Sequence, residues 1–297
     1  MAVAVPFLNR RRRVSLGSTR VQKEPLGIYV ILVPMAIAAM LPLVFMTSQA
    51  LKPIDELLKY PPDLIVQHPT LINFQNLLIA TSSTAVPFSR YIFNSAWVTI
   101  VQVVIGVLIG SMCAYPLAKI RVPGAALINA LIIAAIAFPP EVLAIPNYLV
   151  VSSLHMVDTY YALIIPALGA SFNVFVMTQF MSQIPTPLLE AAKMDGASEW
   201  MIFWRIVMPN VRPAIATIAF LSFQAAWNSS GPALIYVRSE AMRTLPLAIA
   251  TLGAQTNIAT IGIVQAAGLL QFIPSLIIFV LSRTQMLQAL AHTGIKG

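Results

Sequence analysis

Between two apolar runs lies a segment at 184–209 that mixes acidic, basic and aromatic residues, Ile184-Pro-Thr-Pro-Leu-Leu-Glu-Ala-Ala-Lys-Met-Asp-Gly-Ala-Ser-Glu-Trp-Met-Ile-Phe-Trp-Arg-Ile-Val-Met-Pro209. Its charged and aromatic residues suit contact with a membrane surface or with a soluble partner, and the pattern alone favours neither. A second group, Gln224, Trp227, Asn228, Ser229 and Ser230, with Ser222 one turn earlier, puts amides and hydroxyls beside an aromatic face inside an apolar run. Unpaired polarity in hydrocarbon is costly, so such a group either faces a cavity or bonds a neighbouring helix. The remaining reactive types are scattered. His68, His155 and His292 form no H-E-x-x-H pattern, and Cys113 is a single cysteine in an apolar stretch, which excludes a disulfide framework and a Cys-based metal cluster. No G-x-x-x-x-G-K-[ST] occurs, so ATP is not held here by a P-loop. No catalytic residue and no metal ligand is assigned.

The elements that must position these groups follow from composition. Of 297 residues, 58% are hydrophobic and only 9% charged, against about 25% in an ordinary soluble domain. So little charge leaves too few polar residues to cover a water-facing surface. A bilayer must do it, which excludes a soluble enzyme and a disordered tail. Charge-free runs at 25–51, 91–118, 122–140, 159–189, 213–237 and 244–282 each hold a span of about 20 residues. A seventh run, 64–89, carries Gln67, His68, Asn73, Gln75, Asn76 and two prolines and reads as an external loop. Pro34, Pro42, Pro116, Pro166 and Pro274, within or at the ends of spans, predict kinks or breaks.

Six spans put both termini on one side, and the basic residues choose it. With the N terminus cytoplasmic, the inside set holds the four arginines at 10–13, Arg20, Lys23, Lys119, Arg121, Lys193, Arg205, Arg212, Arg283 and Lys296. Only Lys52, Lys59, Arg90, Arg238 and Arg243 fall outside. The net +8 is therefore concentrated inside, and the arginine cluster reads as a topology anchor rather than a nucleic-acid patch. The first apolar run is too long for a signal-peptide core and is expected to stay as an anchor. The organisation is a basic cytoplasmic tail at 1–24 and one transmembrane domain at 25–297 that carries a cytoplasmic loop at 184–210.

Local rules make that loop two short helices. Thr186 caps the first, Pro187 suits its first helical position, and Gly196 fits the left-handed residue that ends it. Ser198 caps the second, Trp200, Phe203, Trp204 and Val207 share one face, and Pro209 stops it. Such a helix pair lies on the membrane or docks on a soluble partner.

Glu190-Ala191-Ala192, then Asp195-Gly196, then Ile206-x-Met208-Pro209 resemble the EAA signature of permease subunits of bacterial binding-protein-dependent ABC importers, with Met208 where Leu is usual. Phe138-Pro-Pro-Glu-Val-Leu-Ala-Ile-Pro146, Trp227-Asn228 and Thr244-Leu-Pro246 are similar to segments of the second permease of maltose and multiple-sugar importers. The ending Gly294-Ile-Lys-Gly297 is one residue shorter than that branch's Gly-x-x-Lys-Gly. The resemblance covers roughly residues 25 to 297.

The resemblance implies an all-α polytopic inner-membrane protein of ABC importer type I permease architecture. The chain would be one half of the path for a di- or oligosaccharide, or, with the same machine, for glycerol phosphate or another polar solute. The expected partners are a second permease in a heterodimer, two ATPase subunits that bind ATP and Mg, and an external solute-binding protein. The chain itself would hold no cofactor and catalyse no covalent step. Glu190 would offer a carboxylate to the ATPase, Ala191 and Ala192 would permit close helix approach, and Asp195, Gly196 and Pro209 would complete the coupling element. Gln224, Trp227, Asn228, Ser229 and Ser230 would be the path candidates. A secondary transporter working alone is disfavoured, since every charge falls at a span end or in a loop.

Overall fold

The computed structural model describes residues 26–61, 63–82, 86–254 and 259–294. The tail at 1–24 and the ending at 295–297 lie outside them. Among the described residues every regular element is helical. The chain opens with α1 (Leu26–Leu51), the single turn α2 (Ile54–Leu57) and α3 (Ile72–Ser82), then the long α4 (Phe88–Lys119). α5 (Ala125–Ile136) and α6 (Ala144–Ser153) follow, and then α7 (Tyr160–Leu168) and α8 (Ser171–Ser182). Two short helices, α9 (Thr186–Met194) and α10 (Glu199–Ile202), lead through a π turn at Phe203–Val207 to α11 (Met208–Asn210). The remainder is α12 (Arg212–Asn228), α13 (Gly231–Tyr236), α14 (Leu245–Gly253) and α15 (Ala259–Gly294).

By length and composition, four stretches suffice to cross a bilayer: Gly27–Leu51, Phe88–Lys119, Tyr160–Ser182 and Thr260–Leu287. The pair Glu199–Asn210 and Arg212–Asn228, bent by 77°, is a fifth candidate, and Ala125–Ile136 is a shorter apolar helix. The six apolar runs expected as spans are thus all helical, but several are interrupted. Run 159–189 breaks at Gly169 and Ala170 and already contains the start of α9. Run 213–237 breaks at Ser229 and Ser230, and run 244–282 is divided between α14 and α15. The external loop expected at 64–89 contains a helix, α3. Of its polar residues Gln67, His68, Gln75 and Asn76 are exposed, whereas Asn73 is buried and its amide donates to the carbonyls of Ala50 (2.9 Å) and Lys52 (2.7 Å).

Residues 1–43 and 44–297 form two units. The described part of the first is one continuous apolar helix with Pro34 and Pro42 inside it. The second is organised on α4, which packs against α7, α8 and α12. Gly106, Gly110 and Ala114 recur every fourth residue and all are buried, so α4 offers a groove of small residues. A Cβ at Gly110 would meet Cβ of Asn173, in α8, at 3.0 Å. This close approach lets two backbones gain dispersion contact where no hydrophobic drive between helices exists. Gly262 of α15 is tighter still, since a Cβ there would lie 2.6 Å from Oδ1 of Asn73.

Three apolar clusters follow. Val107, Tyr115, Met177, Met181, Leu189, Ile202, Phe203 and Val207 join the Lys119 end of α4 to α8 and the 184–210 loop. Leu77, Phe88, Tyr91, Phe223, Trp227, Leu245 and Ala267 pack α3, α4, α12, α14 and α15 together. Val98, Val151, Leu163, Tyr236 and Leu247 surround the Arg90 half of α4.

Candidate functional site

The 184–210 loop is a pair of short helices bolted to the end of α4. α9 begins one residue earlier than the capping rule suggests. Pro185 takes the N-cap position, and Thr186 is the first helical residue without a side-chain cap bond. Leu189 is buried and Ala192 half-buried against the core, so α9 turns Glu190, Ala191, Met194 and Asp195 outward. Asp195 ends the helix, and Gly196 follows at φ +81° with open space around its α-carbon. Only glycine adopts that backbone without penalty, which agrees with the turn expected there. The Ser198 hydroxyl then accepts from the Met201 amide at 3.3 Å and caps α10 as expected.

The face expected from Trp200, Phe203, Trp204 and Val207 divides. Phe203 and Val207 are buried, but Trp200 is 59% and Trp204 41% exposed. The three rings still cluster, with centroids 5.1 to 6.0 Å apart. From Phe203 the backbone widens to a π turn, in which the Met208 amide bonds the Phe203 carbonyl, while Trp200 lies ahead of it in α10. Pro209, which has no amide hydrogen, comes next, so a register slip just before it is a local accommodation. Pro209 is exposed and does not stop the chain at once. Asn210 completes α11, its amide donating to the Ile206 carbonyl at 2.7 Å, and the direction changes at Val211.

Four residues outside the expected set fix the loop. The Tyr115 hydroxyl donates to Oε2 of Glu199 at 2.6 Å, and Nζ of Lys193 sits 2.5 Å from Oε1. Lys193 first, then Tyr115, holds the Glu199 carboxyl below its ordinary range, against a smaller opposing effect of burial. Lys119 donates to the carbonyls of Ser182 (2.9 Å) and Ile184 (2.5 Å) at the end of α8, where an ammonium answers both orphan carbonyls and the helix dipole. The signal for Tyr115 and Lys119 was their four-residue spacing at the end of an apolar run, which puts both on one helical face.

The polar residues of α12 separate into two roles. Trp227 is buried, stacks on Phe223 and donates through its indole N–H to the Gln271 carbonyl at 2.8 Å. Asn228 bonds Gln224 (2.9 Å) and receives Gln271 (3.2 Å). Ser230 is half-buried at the N-cap of α13 without a cap bond. Ser229 lines a cavity of about 520 Å³ between α4, α6, α7, α8, α12 and α13, within the size range of small-molecule sites.

That cavity is where the helices break. Pro166, Ala167 and Ala170 bring the α7–α8 break to it, and Ser229, Gly231 and Pro232 bring the α12–α13 break. Irregular backbone inside a membrane protein is tolerated where it lines a cavity. Its polar lining is neutral but for one residue: Gln102, Asn147, Asn173, Ser222, Ser229 and Thr244 offer amides and hydroxyls, and Glu141 a carboxylate. The Ser222 hydroxyl bonds Oδ1 of Asn173 at 3.3 Å, and Gln102 donates to the Leu163 carbonyl at 2.8 Å. The Thr244 hydroxyl is buried and has no partner among the described residues.

Comparison with known proteins gives the following. Residues 106–287 match the family described as binding-protein-dependent transport system inner membrane component. The chain is 30% identical over 262 residues to the arabinooligosaccharides transport system permease protein AraQ of Halalkalibacterium halodurans, covering 88% of this chain and 93% of the relative. It is 31% identical over 271 residues to a putative ABC transporter permease protein, ORF2, of Caldicellulosiruptor sp. (strain Rt8B.4), covering 91% and 96%. Among solved structures, a chain of a bacterial ABC transporter involved in the import of the acidic polysaccharide alginate has the same fold, with a TM-score of 0.78 at 21% identity over 88% of this chain and 95% of that one.

Proposed function

Because the chain belongs to the family of binding-protein-dependent transport system inner membrane components, we propose that it forms one half of the path by which an ATP-driven importer moves a di- or oligosaccharide. It works beside a second, different permease, two ATPase subunits that carry ATP and Mg, and an external solute-binding protein, in the bacterial inner membrane. The chain holds no cofactor and performs no covalent step. It converts ATPase motion into opening of the path.

The observation that carries this is the joining of the 184–210 loop to the membrane core. Glu190, Ala191 and Asp195 face outward, free to meet another subunit, while Leu189, Ile202, Phe203 and Val207 belong to the same apolar cluster as α4 and α8. A displacement of the outward face is therefore transmitted to the helices rather than absorbed. The cavity supports the sugar reading. Amides and hydroxyls between apolar walls suit a polyhydroxylated solute. The names of relatives such as AraQ point the same way.

The test is purification of the tagged chain from its native membrane in mild detergent and identification of the co-purifying proteins by mass spectrometry. Recovery of an ATPase, a second permease and a solute-binding protein is expected, and the ligand of that binding protein names the cargo. Recovery of this chain alone, repeated after crosslinking, would overturn the proposal.

A further inference from the structure

We infer that Glu141 makes the cavity reject anions, so that the solute passing this chain is an uncharged saccharide rather than a uronate or a sugar phosphate; this rests on the cavity being the solute path. Among the described lining residues Glu141 carries the one formal charge, and no Lys or Arg is present. The carboxylate comes from the turn between α5 and α6, where Glu141 is exposed beside Pro140, and α6 adds Ala144 and Asn147 to the wall.

Among the described residues no ion pair offsets it. The described ion pairs lie at Lys59–Asp63, His68–Glu56, Lys193–Glu199 and Arg243–Glu240, and none involves Glu141. A carboxylate or phosphate entering a largely apolar cavity would lose hydration and find neither an Arg fork nor a Lys to replace it. The first turn of α8 does bring Ala170 and Asn173 to the wall. A helix N-terminus is worth about half a positive charge, enough to orient a hydroxyl oxygen but less than the full negative charge opposite. A neutral polyol meets no such barrier, since every other polar group in the wall is an amide or a hydroxyl.

The sign of this barrier is measurable without knowing the solute. In the full importer in right-side-out membrane vesicles, with Cys113→Ser removing the native thiol, Ser229→Cys is treated at low ionic strength with a cationic trimethylammonium and an anionic sulfonate methanethiosulfonate. Each rate is divided by that reagent's rate with a free thiol. The expected result is a cation preference of about tenfold, the scale of one full charge at close range in a partly wet site. It should fall toward unity with Glu141→Gln and shrink with added salt. Ser222→Cys serves as a second reporter should the first variant not assemble. Equal rates with Glu141 in place, or a preference unchanged by Glu141→Gln, would overturn the role of Glu141 while leaving the path intact. Failure of both reagents at both reporters, with a control Leu64→Cys reacting normally, would instead show that the cavity is closed to water and remove the path itself, and the inference with it.

Discussion

The Tyr115 hydroxyl, near the end of α4, donates to the carboxylate of Glu199, 84 residues later, at 2.6 Å. This bond joins the first turn of α10 to a membrane helix, and Lys193 approaches the same carboxylate from α9. Tyr115→Phe removes one hydrogen bond, worth about 1 kcal/mol or less to this half-exposed acceptor, and leaves the Tyr115–Phe203 ring contact in place. Expression and insertion should persist while solute uptake per ATP hydrolysed falls severalfold. An unchanged ratio in reconstituted vesicles would remove Tyr115 from the transmission route.

Glu199 also sets a pH dependence. Lys193 and then Tyr115 lower its pKa in the folded state. The stabilisation is therefore fully present above the unfolded value, about 4.3, and is lost as pH falls through the lower folded value. The carboxylate is half exposed, so screening limits its worth to about 1 kcal/mol or less. Thermal melts of the wild type and Glu199→Gln should differ most near neutral pH and converge in acid below the usual carboxylate range. A gap that widens on acidification would contradict the assigned sign.

At Gly196, φ is +81° and nothing lies within 4 Å of where a Cβ would be. Asp tolerates the left-handed region better than most residues, so Gly196→Asp tests the surface the turn presents more than the turn itself. Uptake should be abolished with the protein still inserted, as read by immunoblot of washed membranes. Normal uptake would show that the turn touches no partner.

The α4–α8 approach discriminates between two glycines of one helix. A Cβ at Gly110 falls 3.0 Å from Asn173 Cβ, whereas at Gly106 the nearest atom is 3.7 Å away. Gly110→Val should lower stability by about 1 to 3 kcal/mol, and Gly106→Ala should be near neutral. Comparable melting shifts for the two would show that the interface yields evenly.

Orientation is checked by reporter fusions. A fusion after Lys59 should report the outside and one after Arg205 the inside, following the bias of basic residues. The reverse pair of signals would invert the topology and detach the 184–210 loop from any ATPase.

Helices were legible wherever apolar runs were long, and Gly196 and Ser198 were legible because turn chemistry is local. Breaks were not. Gly169-Ala170 and Ser229-Ser230 carry no charge, so a search for charge-free runs passes through them, although they shape the cavity. The burial of Asn73 was not legible either, because polarity in sequence does not show whether a partner waits in the fold, here the carbonyls of Ala50 and Lys52 at and just past the end of α1. Spacing put Trp200 and Trp204 on the face of Phe203 and Val207, but the core takes Ile202, Phe203 and Val207 and leaves both indoles at its edge, and spacing alone does not say where a face ends. Tyr115 and Glu199 meet across 84 residues, a distance over which no local rule operates.

The 77° bend at Val211 makes the 199–228 segment a crank. Its long arm, α12, has 17 residues and so measures about 25 Å. A rotation of about 10° at the joint would sweep its far end through about 4 Å. That end carries Asn228 and adjoins Ser229 in the cavity wall, so a movement too small to alter the short arm's own packing becomes, at the cavity, a stroke wider than a water molecule.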